Sequence, residues 1–152
     1  MASETLIELR LPHIDPGAPM PTVLATEDIF LVGYRTSASD GHLTSTAILR
    51  SETCLAHTFG PPNDETLEGH RLSPLGLKPN AAFELCNSAW IAELENRNRV
   101  HPQHKPSLFA KYRHYVLTFH DSCLEFVAQD YDVTRMAMPP GRLAGQLVDM
   151  LR

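Results

Sequence analysis

The segment HYVLTFHDSCLEFVAQDYDV, His114 to Val133, limits what this chain can fold into more than any other. Apolar residues alternate on both sides of a polar centre, the period-2 pattern of two antiparallel strands joined by a tight turn. If Asp121-Ser122 forms a two-residue turn, Phe119 faces Leu124, Leu117 faces Phe126 and Tyr115 faces Ala128. That side of the ribbon is core. The other side carries His120 with Cys123, Thr118 with Glu125, Val116 with Val127 and His114 with Gln129. A solvent-facing strand normally shows several Lys, Glu or Arg. Valines mixed with imidazoles, a carboxylate and a hydroxyl instead resemble a cavity wall with a few convergent polar groups. The alternative is an outer face covered by a helix or a second subunit, with His120 hydrogen-bonded in place.

The remaining segments repeat the hairpin theme. TLIELRLP alternates as a short strand ended by Pro12, and Ile29 to Val32 is a continuous apolar run suited to a strand buried on both faces. Asp40-Gly41 suits a tight turn, and LTSTAILRSETCLAHTFG reads as a second hairpin around RSE. Glu65 to Asn80 shows no period beyond one helical turn at Glu65 to Glu68, and Phe83 and Leu85 suggest a short strand. Asn87 or Ser88 can cap a helix with Trp90, Ile91 and Leu94 on its apolar face and Glu93/Arg97 and Glu95/Arg99 paired at i, i+4. Leu143, Leu147, Val148 and Leu151 place a second amphipathic helix at the C-terminal end. Strands that come in hairpins and do not alternate with helices predict a single α+β domain over residues 1–152. Its expected form is a mostly antiparallel curved sheet or half-open barrel of six to seven strands with two amphipathic helices.

Composition narrows the partners. Eighteen acidic against 13 basic residues, without any Lys/Arg cluster, lack the footprint of a nucleic-acid binder. No apolar run approaches the ~20 residues of a membrane span, and the N-terminal stretch has no signal-peptide pattern. Three widely spaced cysteines suit free thiols in a reducing compartment, so a cytoplasmic location is expected. Gly-rich phosphate loops, Cys-x-x-Cys, His-Glu-x-x-His and Gly-x-Ser-x-Gly are all missing, so no cofactor is expected.

Three places could carry chemistry. His101 and His104, three apart, could clamp a metal, but Pro102 and Pro106 favour an extended loop, and no metal site is expected. In FGPPNDETLEGHRL, Asn63, Asp64, Glu65 and His70 bring an amide, two carboxylates and an imidazole next to a rigid Pro-Pro pair. Such groups can do general acid–base work, or Asn63 or Asp64 can simply cap a turn. On the mixed hairpin face, His120 and Glu125 could trade a proton in a half-dry cavity, with His114 and Thr118 contacting a ligand. Cys123 is a weak nucleophile candidate because a tight hairpin end does not exclude water, and Trp90 reads as a core anchor.

FGPPNDETLEGH, NSAWIAELENRNRVHPQH and RHYVLTFHDSCLEFVA together resemble a family of small bacterial proteins in which such segments recur in this order. The resemblance spans Phe59 to Ala128. It implies treating Asn63, Asp64, Glu65, His70, His114, His120, Asp121 and Glu125 as one set, and it implies no particular reaction.

The expected function is small-molecule binding, as a cofactor-free enzyme of the isomerase, cyclase or lyase type. His120 and Glu125 would be the acid–base pair, Asp64 and Glu65 further catalytic groups, and Asn63, His70, His114 and Thr118 the ligand contacts. The competing expectation is a non-catalytic interaction module, for example one subunit of a homodimer.

Overall fold

The computed structural model describes residues 2–38 and 45–152, so the expected turn at Asp40-Gly41 lies outside the described residues. The described residues contain nine strands: β1 (Thr5–Glu8), β2 (Thr22–Ala25), β3 (Phe30–Arg35), β4 (Thr46–Ser51), β5 (Ala56–Gly60), β6 (Ala82–Cys86), β7 (Arg113–Thr118), β8 (Cys123–Ala128) and β9 (Asp132–Met136). Two α-helices accompany them, α1 (Ala89–Asn98) and α2 (Leu143–Asp149). The class is α+β with every strand pair antiparallel. The single curved sheet or half-open barrel is corrected to two sheets, one ordered β1-β6-β7-β8-β5 and the other β2-β3-β4-β9.

Two sheets form because the apolar hairpin face needs a cover of matching area. Tyr115, Leu117, Phe119, Leu124 and Phe126 meet Phe30, Val32, Tyr34, Ala47 and Leu49 of the other sheet in one buried cluster. The rings of Phe30 and Phe126 stack with centroids 4.9 Å apart. Each outer face is also covered: α2 lays Leu143 and Leu147 on Leu31 and Ile48, and residues 64–77 lay Leu67, Leu72 and Leu77 on Phe83, Leu85 and Val116. Burial on both faces explains the continuous apolar run in β3.

The close approach of α2 depends on Gly33. A Cβ built there would stand 2.5 Å from Leu143 Cδ1. Gly33→Ala is therefore expected to cost about 1 kcal/mol through overpacking, read as a lower urea midpoint at unchanged slope.

Two expectations about connectivity are revised. The RSE hairpin is a crossover, since β4 pairs with β3 and β9 while β5 pairs with β8 in the other sheet. Locally, the Ser51 hydroxyl accepts the Thr53 N–H at 3.1 Å, and Thr53 Oγ1 accepts the Gln129 N–H at 3.0 Å, tying the crossing to the end of β8. In the β7–β8 hairpin, the Phe119 N–H donates to the Ser122 carbonyl at 2.8 Å, so the loop is His120-Asp121 and not Asp121-Ser122. Thr118 then opposes Cys123, Val116 opposes Glu125 and His114 opposes Val127. Each partner shifts by two positions, which leaves the membership of the two faces unchanged. Among the described residues no helix is long and apolar enough to cross a membrane.

Candidate functional site

The mixed hairpin face lies beneath α1 and residues 64–77, and its centre is dry. His114, Val116, Thr118 and Val127 have no exposure. Burying polar groups here requires partners for each of them.

His114 stands at the centre. Its Nε2 lies 2.8 Å from Glu125 Oε1 and its Nδ1 lies 2.7 Å from Ser88 Oγ. The indole of Trp90 meets the imidazole edge-on, with centroids 5.2 Å apart. On the far side of the carboxylate, His70 Nε2 lies 3.4 Å from Glu125 Oε2. His70 Nδ1 accepts the Leu72 N–H at 3.0 Å, so its proton sits on Nε2 and faces Glu125. Four residues from four separate segments thus form one chain, Ser88–His114–Glu125–His70.

Proton positions follow from the partners. Burial disfavours charge on Glu125, but the hydrogen bond from His114 and the favourable electrostatic contacts with His114, His70 and Arg71 outweigh it, and the carboxyl is held below its ordinary value. An ionised carboxylate only accepts, so His114 donates from Nε2, and in the neutral ring Nδ1 receives the Ser88 hydroxyl proton. Ser88 Oγ also accepts the Ile91 N–H at 3.2 Å as the N-cap of α1. Hydroxyl, imidazole and carboxylate in hydrogen-bonded series is the arrangement by which a base activates a serine while a third group steadies the imidazolium.

Ser88 also lines a cleft of about 520 Å³. Ile91, Ala92, Phe109 and Ala110 supply apolar walls, and Glu95 and Tyr112 supply further polar groups. The Glu95 carboxyl is held below its ordinary value, first by the hydrogen bond from His104 and then by Arg99. Size and lining suit a small organic molecule with one polar end.

The other sequence-predicted residues are placed elsewhere. His120 Nδ1 lies 2.8 Å from Asp64 Oδ2, and the Asp64 N–H donates to the His120 carbonyl at 2.9 Å, so this pair docks the Pro-Pro segment onto the hairpin loop. The expected His120–Glu125 pairing is replaced by Glu125 with His114 and His70. Asn63 caps the 3-10 turn at Asp64–Gly69 by accepting the Thr66 N–H at 3.0 Å, and Glu65 is exposed. The Thr118 hydroxyl donates to the Lys78 carbonyl at 2.7 Å and accepts the Ala81 N–H at 3.0 Å, which commits it to a loop. Burial, with Glu125 adding to it, pushes the Cys123 thiol up to about 11, leaving it a poor nucleophile near neutral pH.

His104 is bonded at both ring nitrogens, to Asn98 Nδ2 at 2.8 Å and Glu95 Oε1 at 3.1 Å, while exposed His101 accepts the Gln103 N–H. Among the described residues no group of three or more His, Cys, Asp or Glu side chains is placed to hold a metal ion.

No family model, curated protein or solved structure matches this chain. The resemblance read from the quoted segments therefore gains no support, and function rests on geometry. Sequence reasoning missed Ser88 as a chemical group, along with Glu95 and Tyr112 as cleft walls. Ser88 had registered only as a helix cap, and nothing local links it to an imidazole 26 positions away.

Proposed function

We propose that the protein binds a small organic molecule in the Ser88 cleft and moves protons on it without a cofactor, as an isomerase, cyclase or lyase does. The carrying observation is the Ser88–His114–Glu125 series, which ends at a residue that lines the cleft. In this reading Ser88 is the catalytic residue. It passes its proton to His114 Nδ1 and takes one from the ligand, while Glu125 stabilises the imidazolium; His70 is a positioning residue that fixes the second carboxylate oxygen. Glu95 and Tyr112 orient the polar end of the ligand.

Proton transfer at carbon can be seen without knowing the net reaction. Incubating the protein with a metabolite mixture in deuterium oxide should add deuterium to one component, read as a mass increase. Ser88→Ala and Glu125→Gln should slow that exchange on the order of a hundredfold, the usual weight of a positioned acid or base, and His120→Ala should leave it unchanged. Exchange that survives Ser88→Ala, or that is lost with His120→Ala alone, would overturn the assignment.

The same variant separates structure from chemistry. Loss of the Ser88 cap and of the partner of buried His114 Nδ1 costs about 2–3 kcal/mol of stability, still less than the total of an ordinary domain. A Ser88→Ala protein that melts cooperatively yet exchanges no proton is the expected result.

A further inference from the structure

The hairpin face expected as a homodimer interface is covered from within the chain by α1 and residues 64–77, so a second copy would need another surface. The two open sheets leave four edge strands, β1 and β5 on one and β2 and β9 on the other. An edge strand presents unpaired main-chain N–H and C=O groups that a further strand can complete.

In β1 the direction of those groups is fixed. The Leu9 N–H donates to the Ala82 carbonyl at 2.8 Å, in the register that sets Thr5 opposite Cys86 and Ile7 opposite Glu84. Bonded pairs alternate along an antiparallel ladder, so Thr5, Ile7 and Leu9 bond to β6 while the main chain of Leu6 and Glu8 points away from the sheet. Among the described residues no hydrogen bond reaches those groups. The side chains alternate as well. Leu6 packs against the layer of residues 64–77, and Leu9 and Leu11 pack against the core between the sheets. Ile7, on the same side as Leu9, is 54% exposed.

Two copies related by a two-fold axis can pair β1 with β1 centred on Leu6, on Ile7 or on Glu8. A centre on Leu6 sets Glu4 opposite Glu8, and a centre on Glu8 sets that carboxylate against its own counterpart, so both oppose like charges. The centre on Ile7 sets Glu4 opposite Arg10 on each side of the axis, Leu6 opposite Glu8, and Ile7 against Ile7. Arg10 is exposed, and among the described residues no carboxylate engages it. Glu4 is held in place by Arg71 at 3.0 Å and by the Ala89 N–H at 2.9 Å. The other edges offer no such match. β2 has no charged residue and β5 none besides His57. In β9, Asp132 and Arg135 are an odd number of positions apart, so they never face each other across a two-fold antiparallel pair.

We propose that the protein forms a two-fold homodimer by pairing β1 with β1 of a second copy, centred on Ile7, so that the two five-stranded sheets join into one. Main-chain hydrogen bonds of Leu6 and Glu8 hold the pair, the Ile7 side chains meet at the close spacing of a non-bonded position, and the Glu4–Arg10 contacts select the register. The contact is short, so the dimer exchanges with monomer and its population depends on concentration. The pairing does not draw on the Ser88–His114–Glu125 series.

Sedimentation equilibrium of the full chain from about 5 μM to about 1 mM tests the assignment. The weight-average mass should rise with concentration from 17.0 kDa toward twice that value. Ile7→Lys, at an exposed position, sets two ammonium groups face to face and should weaken association roughly thirtyfold. Arg10→Glu should weaken it roughly tenfold, and mixing that variant with Glu4→Arg should restore a heterodimer, because every facing pair is then of opposite charge. Oxidation reads the register directly: Ile7→Cys should give a disulfide-linked dimer, and Glu8→Cys and wild type should not, since residue 7 faces its own counterpart. A chain that stays at 17.0 kDa at the highest concentration overturns the proposal and leaves the edge to a strand of another protein. A dimer that survives Ile7→Lys uses another surface and overturns it equally.

Discussion

Replacing His114 with alanine should cost about 4 kcal/mol of folding stability, measured by urea unfolding at pH 7. The ring is fully buried, so its removal opens a cavity beneath Trp90 and leaves Ser88 Oγ without its partner. The larger loss is electrostatic. Glu125 would keep a charge in a largely dry site with only the longer 3.4 Å contact to His70. Glu125→Gln should cost less, because the amide oxygen still accepts from His114 and no charge is stranded. The two variants also differ in acid. The folded Glu125 carboxyl lies below its ordinary 4.5, so its stabilising contribution is complete above that pH and lost as pH falls through the lower folded value. Glu125→Gln should therefore be less stable than wild type at neutral pH and close to it in acid. A cost under about 1.5 kcal/mol for His114→Ala would show that the series is not the tight buried unit described, since breaking such a unit is among the more expensive substitutions.

How far the sequence foretold this arrangement depends on the range of the interactions involved. The α1 helix was legible, with its cap narrowed to Asn87 or Ser88, of which Ser88 is the one observed, and with Glu93/Arg97 and Glu95/Arg99 as ion pairs, because all of these lie within one or two turns. The two faces of the β7–β8 hairpin were legible because alternation survives a two-position error in pairing. The loop itself was not, since His120-Asp121 and Asp121-Ser122 are both acceptable turns. Contact with Asp64, 56 positions away, accompanies the form observed. The sheet count failed for a related reason: β-branched residues on both sides of RSE serve a crossover between sheets as well as a hairpin, and the pairings of β4 with β9 and of β5 with β8 distinguish them. At the candidate site, His114 and Glu125 were legible as polar residues among valines on one hairpin face, and His70 as an imidazole in the polar segment after the Pro-Pro pair. Which of them touch was not, because that follows from register and from the segment that covers the face.

Thr118→Val should cost about 3 kcal/mol, the second largest effect expected, and it tests a residue whose sequence reading was ligand contact. Valine keeps the shape of the side chain, so no cavity forms. What it removes is one hydroxyl that satisfies two main-chain groups of the loop before β6, the Lys78 carbonyl and the Ala81 N–H. Each group left unmade in a buried setting costs roughly 1–3 kcal/mol, more than either bond contributes in the intact protein. Thr118→Ser retains the hydroxyl and should lose only about 1 kcal/mol, for the missing methyl. If the two variants are equally destabilised, the hydroxyl does not hold the loop. Proton exchange at Ser88 should stay unchanged in both, because Thr118 takes no part in the Ser88–His114–Glu125 series.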